Sequence, residues 1–256
     1  MKSRSCIAFV VSILAVCCVG AAQNSTPKSS DDATNSRLFL EYVWNTAGTS
    51  FKKETLDETI ALWNEHIDAA QYNILGADIL TPHFETKDGD LLWVVIWPSL
   101  SARKAVWSDW NNNHESAWKS KTSEVLDYNS ETITLFEKTS GYPFQGLKKT
   151  TFGSNFENTF NLCSFTKNHN QRTFHSFTNK YEDWIDENSH GESKYAYSLL
   201  KAQDGFENYD FIWLDFWENA EEKANAQKRF AGTEYEKQWQ AMTVCDSFSF
   251  SGVRIR

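Results

Sequence analysis

The feature that most constrains this chain is an aromatic strand signature that occurs twice. Residues 91–97 read Leu-Leu-Trp-Val-Val-Ile-Trp, and residues 211–217 read Phe-Ile-Trp-Leu-Asp-Phe-Trp. Trp93 maps onto Trp213 and Trp97 onto Trp217, each at a shift of 120 residues. The correspondence continues without a gap, with Trp110 opposite Phe230 and Tyr128 opposite Phe248. A repeat of that length is a whole structural unit copied, so the fold must be one that two similar halves build together.

Period and capping order the elements within each half. Residues 38–44 are a strand by their aromatic and β-branched content. Leu56, Ile60, Trp63 and Ile67 recur at helical spacing and predict a helix over 51–69. Thr55 and Glu58 have capping-box spacing, with Ser50 as an alternative start. A strand at 77–81, a turn at 87–90 and the Trp93/Trp97 strand follow, closed by Pro98. Ser99 is placed to cap a helix through Ala102, Val106 and Trp110, and residues 131–137 alternate as a fourth strand does. The second half repeats this order. It has a strand at 160–165 and a helix over 171–187 with Phe174, Phe177, Tyr181 and Trp184 on one face. A strand at 195–200, a turn at Asp204-Gly205 and the Trp213/Trp217 strand come next. Asn219, with Glu222, caps a second helix, and Phe248, Phe250 and Val253 belong to a last strand.

Each half is therefore β-α-β-β-α-β, a ferredoxin-like unit of the α+β class. Two helices cover one face of each antiparallel sheet. The Trp strands are apolar on both faces, so the uncovered faces should be buried against each other. The predicted architecture is two tandem ferredoxin-like units, 37–140 and 159–256, whose sheets pack into an intramolecular α/β barrel. A linker over 141–158, with Gly141, Pro143, Gly146 and Gly153, joins them.

In element order, duplication and paired Trp strands, residues 37–256 resemble the dimeric α/β-barrel superfamily. That superfamily includes antibiotic-type monooxygenases, stress-responsive barrel proteins and, in tandem form, chlorite-dismutase-like haem proteins. The resemblance implies a ligand site between sheet and helices. It implies architecture rather than chemistry, because one fold hosts many functions. It also implies that one chain can form the barrel, so a monomer is possible and the oligomeric state stays open.

The first 22 residues have the build of a signal peptide. Lys2 and Arg4 precede an apolar run from Cys6 to Val19, and Gly20-Ala21-Ala22 offers small residues for cleavage before Gln23. Leu14-Ala15-Val16-Cys17 supports a second reading, a lipid anchor on Cys17, with bulky Val16 against it. Either way the protein is expected outside the cytoplasm, periplasmic or secreted. Residues 23–36 are almost devoid of apolar side chains and are expected to be a flexible leader. No other stretch is long and apolar enough for a transmembrane helix.

Lys2 and Arg4 are the only charges in the first 22 residues, so their removal takes the net charge from −9 to −11. Such an acidic chain gains nothing from counterion release and is not expected to bind nucleic acid. Of five cysteines, Cys163 and Cys245 lie outside the signal, on strands expected to be neighbours. A disulfide between them is open on spacing alone, since geometry decides it.

No phosphate loop, nucleophile elbow or metal-ligand motif is present, and no cofactor or metal is expected. The candidate chemistry rests on isolated residues. Asp215 stands between Trp213 and Trp217, and period-2 alternation points all three the same way. The first half has Val95 there. An acid among aromatics is expected to have a raised pKa, as proton-transfer groups do. The plainer alternative is a strand-end carboxylate satisfied by water or backbone. Glu41 alternates with Phe39 and Val43 and raises the same question, with Cys163 as its approximate counterpart. His66, on the first helix, and His83, after Pro82, are candidates to face one pocket as proton carriers, against the plain roles of helix-face and loop residues. Trp93, Trp97, Trp213 and Trp217 either fill cores or line a pocket for a flat apolar ligand.

Three readings follow. The leading one is an exported barrel that binds, or acts without a metal on, a small apolar or aromatic compound, with Asp215, His66 and His83 as its polar groups. The second is a non-catalytic interaction scaffold with filled cores and exposed Trp107 and Trp118 as a partner surface. The third, which the resemblance implies, is haem binding. It requires a histidine in the second half, for which His175 is the nearest candidate.

Overall fold

The computed structural model describes residues 37–142, 153–189, 194–203 and 205–256. The expected signal, leader and Cys17 lie outside the described residues, as do residues 143–152 of the linker, His190 and Asp204 of the expected turn. The described residues form one compact unit.

In the first half, β1 (Leu38–Ala47), α1 (Lys53–Ala69), β2 (Gly76–Pro82) and β3 (Leu91–Trp97) follow in the expected order. Next come α2 (Leu100–Asp109), a π-helical turn (Trp110–His114) and α3 (Glu115–Thr122). Two strands end the half, β4 (Leu126–Tyr128) and β5 (Thr134–Ser140). The second half has β6 (Asn155–Phe165), α4 (Gln171–Ser189), β7 (Tyr195–Ala202), β8 (Phe211–Trp217), α5 (Ala220–Phe230), α6 (Glu234–Met242) and β9 (Thr243–Arg254).

Capping explains several boundaries. Ser99 Oγ accepts from the Ala102 N–H at 3.1 Å, and Asn219 Oδ1 accepts from the Glu222 N–H at 2.9 Å, as their positions predict. Thr55 does not begin α1. It sits inside the first turn, where its hydroxyl accepts from the Lys52 N–H at 3.1 Å and donates to the Ser50 carbonyl at 2.8 Å. The fourth strand of the first half is broken where 131–137 predicts one run. A 3₁₀ turn at Ser130–Thr132, begun by the Asn129 side chain on the Glu131 N–H, separates β4 from β5. Its counterpart β9 runs for 12 residues without interruption.

Among the described residues, eight of the nine strands close on themselves in the order β1–β3–β2–β9–β6–β8–β7–β5, and every pairing is antiparallel. The halves meet edge to edge. β2 pairs β9 from Asp78↔Arg254 to Pro82↔Phe250, and β5 pairs β7 from Phe136↔Ala202. The two sheets thus form the expected barrel by closure, which pairs all four edge strands and buries both inner faces in one lumen.

Three apolar layers result. Even-numbered residues of the barrel strands, such as Leu40, Leu80, Val94, Phe160, Leu214 and Phe250, fill the lumen. Odd-numbered residues face the helices. Phe39, Val43, Trp93, Val95 and Trp97 meet Ile60, Trp63 and Ile67 of α1. Trp213 and Trp217 meet Phe174 and Phe177 of α4. Cys163 and Cys245 are direct partners across β6 and β9 and form a disulfide.

Candidate functional site

The two helix layers hold the same arrangement in different states. In the first half, Glu41 stands opposite Val95 across β1 and β3. In the second, Thr159 stands opposite Asp215 across β6 and β8. One carboxylate therefore occupies the equivalent place in each half, contributed by neighbouring strands. Register makes Thr159, not Cys163, the counterpart of Glu41. The 120-residue shift also relates Arg103, on α2, to Lys223, on α5.

In the first half the arrangement is sealed. Glu41 is fully buried, ion-paired with Arg103, and accepts from Trp107 Nε1 at 2.7 Å. Burial pushes its pKa up, while the Arg103 charge and both hydrogen bonds pull it down. The space beside it is only about 90 Å³, between Trp63, Trp93, Trp97, Trp107, Trp110 and Trp118. The π-helical turn brings Trp110 into this layer, where its Nε1 donates to the Tyr128 hydroxyl at 3.1 Å.

In the second half it is open. Asp215 lines a cavity of about 320 Å³ with Tyr181, Trp184, Trp213, Trp217 and Trp239, which is the low end of ligand-pocket size. Its Oδ1 accepts from Tyr195 at 2.7 Å and Trp213 Nε1 at 2.6 Å, and its Oδ2 accepts from Asn161 at 2.8 Å. Lys223 makes no direct pair with it. The ammonium instead donates to Thr159 and Ser249, both at 3.1 Å, and lies 5.2 Å over the Trp217 ring. Burial therefore prevails over the three hydrogen bonds and the distant charge, and the Asp215 carboxyl is pushed up to about 6. Burial also drives the phenols of Tyr181 and Tyr195 up, so both stay protonated.

The raised carboxyl makes a pH-dependent prediction. In the unfolded chain it titrates near 3.8 and in the fold near 6, so the fold holds more protons between those values. Stability from this group is then lost as pH rises through that window, with a limit of roughly 3 kcal/mol above it. Asp215→Asn should be more stable than wild type by about 1–2 kcal/mol at pH 8, because the amide meets one of its three donors poorly. The gap should close near pH 4. Urea unfolding at both pH values checks this, and an identical gap at both would show that the carboxyl is not shifted.

The structure does not bring the two histidines together. His66 packs on Trp110 and His114 in the first helix layer, with ring centroids 5.3 and 4.3 Å away. Its Nε2 is buried without a partner among the described residues, and burial, then His114, lowers its pKa. His83 is exposed at the barrel rim, 2.7 Å from Ser251 Oγ. Neither histidine lines either helix-layer cavity. Trp107 and Trp118 are half-buried walls of the first cavity, not a partner surface. Sequence reasoning passed over Arg103, Lys223, Asn161 and Tyr195. The repeat shift contained a signal for the first two, a cation at the same place in both copies.

Among the described residues, no histidine, cysteine or methionine lines the second cavity. His175 is exposed on α4. The lining of this cavity therefore offers neither the axial imidazole nor the sulfur that haem iron takes, and its protonated phenols are poor substitutes.

The chain has the fold of the dimeric α/β-barrel superfamily in its tandem form, with both units in one polypeptide. Its fold is similar to that of the chlorite dismutases. A protein provisionally assigned as a chlorite dismutase aligns at 8% identity and a TM-score of 0.53, over 86% of this chain and 95% of that one. An arginine-to-lysine variant of chlorite dismutase from Candidatus Nitrospira defluvii aligns at 11% identity and 0.51, over 87% and 93%. A haem-binding protein from Thermus thermophilus aligns at 12% and 0.49, over 85% and 91%. No protein-family model and no curated protein matches the chain.

Proposed function

We propose that this protein binds a small, flat aromatic compound in the cavity between the second sheet and α4–α6, with Asp215 as its polar anchor. One observation carries the reading: the carboxylate arrangement present in both halves is ion-paired and sealed in the first, and without an ion pair beside a ligand-sized cavity in the second. A carboxylate without a direct cation, walled by indole and phenol rings, suits a ligand with an N–H donor or a positive charge. Trp217, whose buried indole N–H has no partner among the described residues, offers a donor in the same wall. We place the protein outside the cytoplasm. The secretory build of residues 1–22 and the Cys163–Cys245 bond support this.

The test is native mass spectrometry with an absorption spectrum on gently purified exported protein, then titration with tryptamine as the probe. Wild type should bind it, and Asp215→Asn should weaken binding at least tenfold while Glu41→Gln leaves it unchanged. Equal binding by wild type and Asp215→Asn would end the assignment. The chlorite-dismutase fold gives haem a second reading, tested in the same spectrum. A Soret band retained by His175→Ala and lost on mutation of His190, which lies outside the described residues, would replace the aromatic-ligand reading with haem.

A further inference from the structure

The barrel lumen is packed through its middle but not at the end where β1 and β6 begin. A cavity of about 620 Å³ opens there, larger than either helix-layer cavity. Its walls break the rule that lumen positions are apolar. Asp78, Lys138, Asn158, Ser198 and Arg254 all occupy even-numbered, inward positions, on five different strands of the one barrel end. Alternation assigns each of these places to an apolar side chain, so five polar replacements gathered at one end are an organised departure.

Charge within the cavity does not balance. Arg254 Nε lies 2.6 Å from Asp78, and the two neutralise each other. Glu218, at the rim, pairs with Lys194 at 2.7 Å. Among the described residues, Lys138 has no carboxylate within ion-pair distance, and burial lowers its pKa. Asn158 is 1% exposed, and its Oδ1 has no hydrogen-bond partner among the described residues. A half-buried cation without a counter-charge and an orphaned buried acceptor are both costly, and each is relieved by a ligand that brings the missing partner. Leu40, Leu80, Val94 and Phe156 give the wall an apolar stretch.

We propose that this end of the lumen is a second binding site, for a hydroxylated monocarboxylic acid with an apolar body. Its carboxylate pairs with Lys138, its hydroxyl donates to Asn158 Oδ1, and its chain lies along the apolar wall. Lys138 and Asn158 lie on the opposite face of the sheet from Asp215, although Trp217 borders both cavities.

The probe is 3-hydroxydecanoate, titrated by calorimetry into wild type, Lys138→Met, Lys138→Arg and Asp215→Asn. Wild type is expected to bind, Lys138→Met to bind at least tenfold more weakly, and Lys138→Arg to stay within about threefold, since it keeps the charge. Asp215→Asn should bind as wild type does. Lys138→Arg guards against a folding defect at this position. Absence of binding by wild type overturns the proposal, as does undiminished binding by Lys138→Met. Loss in Asp215→Asn alone would put the acid in the helix-layer cavity and overturn it as well.

Discussion

Replacing Arg103 with methionine is expected to destabilise the protein by about 3–5 kcal/mol at neutral pH, the cost of stranding a buried carboxylate without its cation. Glu41 is fully buried and retains only the Trp107 N–H once the guanidinium is gone. Its pKa, already raised by burial, then rises further because the opposing charge is lost. A carboxyl raised in the fold is penalised as pH climbs through its folded pKa. The deficit of Arg103→Met should therefore be greatest at neutral and alkaline pH and shrink in acid, where Glu41 takes up a proton. Urea unfolding of wild type and variant at pH 5 and pH 8 measures both the size and the slope. The repeat supplies an internal control. Lys223→Met removes the equivalent cation, but its ammonium rests on two hydroxyls and makes no ion pair with Asp215. Its loss should cost less than about 1 kcal/mol, the scale of a weakly coupled charge. Equal losses for the two variants would contradict a sealed first half and an open second half.

Removing the disulfide should have the next largest effect. Cys163 and Cys245 close a loop of 82 residues, for which loss of chain entropy in the unfolded state corresponds to about 4.5 kcal/mol. Measured bonds usually deliver less, so Cys163→Ala with Cys245→Ala is expected to lose about 2–4 kcal/mol. For a chain of this size that lowers Tm by roughly 4–16 °C. A thermal melt with and without reductant checks it in the wild type, and intact mass confirms the two hydrogens gained. An unchanged Tm on complete reduction would mean that the bond contributes nothing to stability. Folding would feel the change too. The bond joins β6 to β9, whose pairing extends over the whole length of β6.

Several parts of this molecule were legible in residue order because they depend on local period or on one short contact. Trp93, Trp97, Trp213 and Trp217 face the helices as alternation requires, with Asp215 between the last two. Ser99 and Asn219 cap their helices because an N-cap needs only a side-chain oxygen three residues ahead of a free N–H. Helix α6 and the break between β4 and β5 were not legible. The former is nine residues long with a mixed face, and the latter depends on a single Asn129 contact. The histidines illustrate the same limit from the other side. Residue order said nothing about whether His66 and His83 meet: His66 packs on Trp110 and His114, and His83 rests on Ser251 at the rim.

By itself the sequence determined that two copies of one α+β unit build this protein, that their Trp strands are buried on both sides, and which side chains share each face. Those properties are carried by repeats and by period. The tertiary structure alone decided that the sheets close edge to edge, that Glu41 and Asp215 fall on the same cross-strand pair of their halves, and that only one of them is left without an ion pair. It alone gathered Lys138, Asn158 and Arg254 at one end of the lumen. These outcomes depend on strand register and barrel closure, which join residues far apart in the chain.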